Sequence, residues 1–301
     1  MGDDFSGLPE PESLSRLARR AATFYGAPGP ANVVAAPGSQ ILMSLIADLS
    51  AKDHAGKNHT GKTRAAILGP TYAEHARIAA LAGHEVTTRI ELSALGESEL
   101  AIVVNPNNPD GRILAKEELS AVAARQKDHG GLLVVDEAFM DVGPCEASLG
   151  SLVEQENIVV LRSFGKFFGL SGLRLSFALS GEGLAAPMRA RLGPWPVSGP
   201  SLRIGALALE DETWIAKTRA ALKADALRLE ELLRKAGLEC VGRTDLFTLV
   251  QSPVAPAIFN RLGEAGILVR RFDENPNWLR FGIPGAAQTW QRLTDALRAL
   301  F

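Results

Sequence analysis

Four short apolar runs constrain this chain more than anything else in it: AAILG (65–69), AIVVN (101–105), LLVVDE (132–137) and NIVVLRS (157–163). None alternates apolar with polar residues, so each reads as a strand covered on both faces. Between most of them lies enough chain for a helix. Strands of this kind belong to a mainly parallel sheet with helices packed on either side. RLSFALS (174–180) follows NIVVLRS too closely for a helical crossover, so it pairs antiparallel or lies beyond a loop. The expectation is a three-layer α/β domain.

The flanking sequence completes the plan. Pro11 to Tyr25 carries Leu14, Leu17, Ala21 and Phe24 on one stripe and stops at Gly26, as an amphipathic helix does. Pro28 to Ala36 reads as linker, and a second helix opens at Gly38 and Ser39. A long helix over Asp211 to Lys235 leads into CVGRTDLFTLVQS, a short helix, ILVRRF, WLRFGI and a closing helix. That set suits a smaller α+β domain. The division expected is 1–30 as an N-terminal arm, 31–205 as the large domain and 206–301 as the small one.

Composition removes several classes of function. A formal net charge of −2 gives no single-signed field to attract nucleic acid or an anionic membrane. Cys145 and Cys240 stand apart, with no metal-ligand spacing and no disulfide framework. The start, MGDDFSGLPEPESL, lacks the basic and apolar regions of a signal peptide, which favours the cytoplasm. Gly56 to Thr63, GKNHTGKT, matches the phosphate-loop pattern of nucleotide hydrolases. That loop needs a strand before it and a helix after it, and here the order is reversed.

Three segments place polar groups at the C-terminal ends of expected strands, where open α/β sheets build their sites. VVNPNNPDGR sets Asn105 and Asn108 in a turn that presents amides outward. LLVVDEAFMD delivers Asp136, which taken alone reads as readily as a structural ion pair. SFGKFFGLSGLRLSF holds a single Lys166 among Phe164, Phe167, Phe168 and Leu170. Apolar company disfavours the charged form of an amine, and the neutral amine is the nucleophile of imine chemistry. Ser163 and Arg174 stand close enough in sequence to reach a phosphate near that amine. A surface lysine is the bland reading.

In these residues, from about Ala31 onward, the chain resembles the pyridoxal-phosphate enzymes of the aspartate aminotransferase fold, class I and II, also called fold type I. The resemblance implies that Lys166 carries pyridoxal 5'-phosphate as a Schiff base and that Asp136 pairs with the pyridine nitrogen. It implies that Asn108 donates to the ring hydroxyl and that Tyr72, in PTYAEH, stacks on the ring. Gly38, Ser39, Ser163 and Arg174 would cradle the cofactor phosphate, and Arg280, in WLRFGIP, would grip the substrate carboxylate. A homodimer is implied by the resemblance alone.

Within the family the motifs look most like the threonine-phosphate decarboxylase branch of cobalamin synthesis, with a small phosphorylated amino acid as substrate. Histidinol-phosphate aminotransferase is the alternative. Two departures bear on the choice: Phe139 stands where a tyrosine usually donates to the ring hydroxyl, and Gly165 where Ser or Thr usually precedes the lysine. Some thirty residues precede ANVVAAPGSQ, fewer than the resemblance leads one to expect. A shortened arm implies a third reading, a cofactor-binding protein with weak turnover.

Overall fold

The apolar runs form strands because each is shielded on both sides: Leu100–Val104 and Leu132–Asp136 are buried at every position. A computed structural model of the protein describes residues 3–51, 63–155 and 157–299. In chain order the first elements are α1 (Asp3–Ser6), α2 (Pro11–Tyr25), β1 (Val33–Ala36), α3 (Ser39–Ser50), β2 (Arg64–Leu68), α4 (Glu74–Leu81) and β3 (Glu85–Arg89). Then come β4 (Leu100–Val104), α5 (Lys116–Asp128), β5 (Leu132–Asp136), β6 (Ile158–Ser163), β7 (Ser176–Ser180), α6 (Glu182–Leu192) and α7 (Gly199–Glu210). The series ends with α8 (Glu212–Lys235), β8 (Glu239–Thr244), β9 (Phe247–Gln251), α9 (Ala255–Glu264), β10 (Arg270–Arg271), β11 (Trp278–Gly282) and α10 (Ala287–Arg298).

Two compact units emerge. The first comprises Met1–Pro106 and Ile113–Glu212, and the second Asn107–Arg112 and Thr213–Phe301. The first is built on a seven-stranded sheet of order β1-β7-β6-β5-β4-β2-β3. Strands β3, β2, β4, β5 and β6 run parallel, and β7 pairs antiparallel with both β6 and β1. The parallel sheet is as expected, and so is the antiparallel β6–β7 pair.

Pro28 to Ala36 is not all linker. Val33–Ala36 form the edge strand β1, paired Val33 to Leu179 and Ala36 to Ser176, and all four residues are buried. Burial of a four-residue apolar stretch on β7 outweighs the turn signals of the prolines just before it.

Alternation along the strands sorts the core into two faces. Leu132, Val134, Val159 and Leu161 pack with Leu42, Met43 and Ile46 of α3 and Ile78 of α4 on one face. On the other, Tyr25 of α2 packs on Phe177 with ring centroids 5.6 Å apart. Helix α2 ends where expected, at Gly26 in the left-handed conformation with φ of 72°.

The second unit holds an antiparallel sheet of order β10-β11-β9-β8. Leu229 and Leu233 of α8, Ile258 and Leu262 of α9 and Trp290 and Leu293 of α10 cover Val250, Leu279 and Phe281. The segment Asn107–Arg112 joins this unit because Gly111 and Gly242 let two backbones close on each other. A Cβ on Gly111 would collide with the carbonyl of Arg243, and one on Gly242 with that of Asp110.

Among the described residues no helix is long and apolar enough to cross a membrane, and no cluster of His, Cys, Asp and Glu is placed to hold a metal. Residues 56–62 of the phosphate-loop match lie outside the described residues.

Candidate active site

Three strand ends of the first unit carry the residues singled out from sequence. β5 ends at Asp136, only 6% exposed, whose Oδ2 lies 2.9 Å from His75 Nε2 while Oδ1 accepts the Ala138 N–H at 3.0 Å. A buried carboxylate needs such partners, because an uncompensated charge there is costly. His75 belongs to α4 and is itself buried. Sequence reading quoted it in PTYAEH without giving it a role. Its spacing from Tyr72, three residues, was the available signal. The Tyr72 ring stands edge-on to the His75 ring at 5.5 Å, and Tyr72 is 40% exposed.

β6 ends at Ser163, and the chain then turns through Gly165 and Lys166 back to β7. The turn is tight: a Cβ on Gly165 would lie 3.0 Å from Ser171 Cα. A side chain there would require the Ser171 backbone to give by a few tenths of an ångström.

Lys166 differs in burial from the phenylalanines beside it in sequence. Phe164, Phe167 and Phe168 are buried beneath the turn, with Phe164 stacked on Phe168 at 4.2 Å and Phe167 edge-on to Phe168 at 5.0 Å. Lys166 itself is exposed, and its Nζ lies 5.5 Å from the centre of the Phe139 ring. Neighbours in sequence on a tight turn point to different sides, so the phenylalanines build core while the lysine projects outward.

Past that turn, Arg174 is the only non-glycine residue with positive φ among the described residues, at 52°. Such a conformation persists where surrounding structure imposes it, and it clusters at ligand sites. Here it turns the guanidinium toward Gly38, the N-cap of α3, which has φ of 115°. A Cβ on Gly38 would meet Arg174 Nη2 at 2.7 Å. Helix α3 therefore begins with free backbone N–H groups from Ser39 onward and a guanidinium alongside, a pairing suited to an anion. This cradle, which a side chain on residue 38 would fill, fits the phosphate of pyridoxal phosphate. Asp136 fits the ring nitrogen and Lys166 the aldehyde.

The second unit contains Asn108 and Arg280, and it brings them together: Arg280 Nη1 donates to Asn108 Oδ1. The Arg280 guanidinium also lies over the Phe247 ring at 4.8 Å. Burial first, and the charge of Arg270 second, lower the Arg280 pKa from its usual value, yet an arginine remains charged at neutral pH.

Asn105 behaves otherwise than expected. It is fully buried, and its amide closes the turn by accepting the Leu114 N–H at 2.9 Å and donating to the Leu114 carbonyl at 3.2 Å. Arg162, next to Ser163 at the end of β6, is likewise committed to structure. It is buried between Glu137 and Asp141.

The chain is similar to proteins of known kind. It is 42% identical over 291 residues to a threonine-phosphate decarboxylase of Sinorhizobium sp, covering 96% of this chain and 84% of that one. A threonine-phosphate decarboxylase of Pseudomonas aeruginosa is 39% identical, covering 95% and 83% respectively. Among solved structures, histidinol-phosphate aminotransferase of Sinorhizobium meliloti in complex with pyridoxal-5'-phosphate superimposes with a TM-score of 0.86 at 22% identity, over 100% of this chain and 85% of that one. At that identity the likeness is one of fold. The family model for aminotransferase class I and II matches residues 1–300, so the whole site described above lies inside the match and the chain belongs to the class I and II aminotransferase family.

Proposed function

We propose that this chain is a pyridoxal-phosphate-dependent decarboxylase of L-threonine O-3-phosphate, giving aminopropanol O-phosphate and carbon dioxide. The observation that carries this reading is the 42% identity to a threonine-phosphate decarboxylase along nearly the full chain. Bound in the site, pyridoxal phosphate supplies an electron sink for the pair left when the Cα–carboxyl bond breaks.

The chain's own residues do the rest. Lys166 Nζ holds the cofactor and is the group available to carry a proton to the substrate Cα. Asp136, fixed by His75, holds a negative charge for the pyridine N–H. Asn108, held by Arg280, would donate to the ring hydroxyl, and Tyr72 would stack on the ring, as the family resemblance implies. Phe139 has no hydroxyl to donate, so one hydrogen bond to the ring oxygen is absent. Gly38, Ser39, Ser163 and Arg174 bind the cofactor phosphate.

The substrate carries a carboxylate and a phosphate, and the second unit offers two guanidiniums. Arg270 lies directly opposite Arg280 across the β10–β11 pair. Directly opposed residues share a face, and like charges there repel unless an anion intervenes. Arg271 points to the other face by alternation and has Asp273 at 3.7 Å. We therefore give the carboxylate to Arg280 and the phosphate to Arg270. The protein is taken to work in the cytoplasm as a homodimer.

Two measurements check this reading. Purified protein supplied with pyridoxal phosphate and threonine phosphate is expected to release carbon dioxide and form aminopropanol phosphate. Glutamate formed from histidinol phosphate and 2-oxoglutarate, with no carbon dioxide from threonine phosphate, would reverse the assignment. Cofactor uptake with neither reaction would favour the weakly active reading. In addition, Gly38→Val is expected to weaken pyridoxal phosphate binding at least roughly tenfold by fluorescence titration, because it adds a Cβ in the cradle at a φ that favours glycine.

A further inference from the structure

Among the described residues Arg162 is the only buried arginine or lysine, and it takes no part in the chemistry above. Its Nη1 donates to Glu137 Oε2 at 2.6 Å and its Nη2 to Asp141 Oδ1, while the guanidinium carbon lies 4.4 Å over the Tyr25 ring. Glu137 is tied further by Ser148 Oγ at 2.6 Å and the Leu149 N–H at 2.9 Å. A buried ion cluster of this kind adds little net stability over apolar residues of the same volume, since desolvation offsets the attraction. What it fixes is place.

The location of the cluster gives that place a meaning. Asp136 and Glu137 are consecutive, as are Arg162 and Ser163, and consecutive strand residues face opposite sides of the sheet. The same two strand ends therefore show Asp136 and Ser163 to the α3 and α4 side, and Glu137 and Arg162 to the α2 side. Glu137 N–H donates to the Leu161 carbonyl at 2.9 Å, which keeps the two ends in register. Asp141 lies in the short 3-10 turn Met140–Val142 that follows Phe139, the ring beneath Lys166 Nζ. One guanidinium thus joins the β5 end, the turn bearing Phe139 and the strand that leads into Lys166.

We propose that Arg162 is a positioning residue of the cofactor pocket: gripped by Glu137 and Asp141 behind the sheet, it sets Asp136, Phe139, Ser163 and Lys166 relative to one another. The role rests on the reading of Asp136 and Lys166 as cofactor-binding residues. The Tyr25 ring completes the cluster on its outer side.

Arg162→Lys keeps the charge and loses the fork that spans two carboxylates. Three quantities are read on this variant and on Asp141→Asn, which keeps the shape and tests the same grip should Arg162→Lys not fold. They are the Kd for pyridoxal phosphate, the pH midpoint of the bound cofactor's visible absorption, and kcat against KM for threonine phosphate. Leu17→Ala, a core substitution on α2, serves as the control for lost stability alone.

The expected result is a Kd raised about tenfold or more, a moved absorption midpoint and a kcat lowered more than KM is raised, as small misplacements of reacting groups produce. Leu17→Ala is expected to lower the melting temperature and leave the first two readings within about twofold. If both cluster variants behave like Leu17→Ala, the cluster is structural only and the proposal is overturned. If the wild type takes up no pyridoxal phosphate, the reading of the pocket itself falls, and the positioning role falls with it.

Discussion

Lys166→Ala is expected to remove decarboxylation, with kcat lowered at least about a thousandfold, the scale on which loss of a covalent catalytic group acts. The side chain is exposed and projects from the turn, so its removal takes little from the core. The variant should therefore unfold at nearly the wild-type temperature, which separates lost chemistry from lost structure. Borohydride should fix the cofactor to the wild type and leave the variant unlabelled. A Lys166→Ala protein that still decarboxylates at a tenth of the wild-type rate or more, or a colourless wild type that takes up no added cofactor, would defeat the assignment.

The second large effect is expected at Asp136. In Asp136→Asn the shape stays and the charge goes: an amide oxygen can still accept from His75 Nε2 or Ala138, but no anion faces the pyridine nitrogen. A fall in kcat of roughly 10²–10³ follows from losing one preorganised electrostatic partner of the reacting system, with KM changed little. Asp136→Ala should fare worse in stability as well. It leaves the buried His75 ring and the Ala138 N–H without their acceptor, at a cost of about 1–3 kcal/mol for each unsatisfied group. Thermal unfolding of the two variants separates these contributions. An asparagine variant with unchanged kcat would mean that the carboxylate serves only to hold His75.

The sheet was legible because β2, β4, β5 and β6 are covered on both faces and so carry unbroken apolar runs. β1 was hidden by its length of four residues and by the prolines ahead of it. β3, sequence EVTTR, was missed because it is an edge strand with no residue fully buried, so it carries none of that signal. Whereas the role expected of Gly38 came from the family resemblance, local pattern drew attention to Lys166 and Asp136, each at or near a strand end. It could not pair Asp136 with His75, sixty-one residues away, or Arg280 with Asn108, 172 away, because those contacts are made by the fold. It also misjudged orientation, turning Asn105 outward when its amide closes its own loop.

The six residues Asn107–Arg112 have a consequence for inheritance. Since they group with Thr213–Phe301, the second unit is not a continuous stretch of gene. A fragment beginning at Thr213 would lack both Asn108 and the backbone that closes on Gly242. A single crossover between relatives near residue 212 would take Asn107–Arg112 from one parent and Thr213–Phe301 from the other, so Asn108 would face a residue 280 of different parentage.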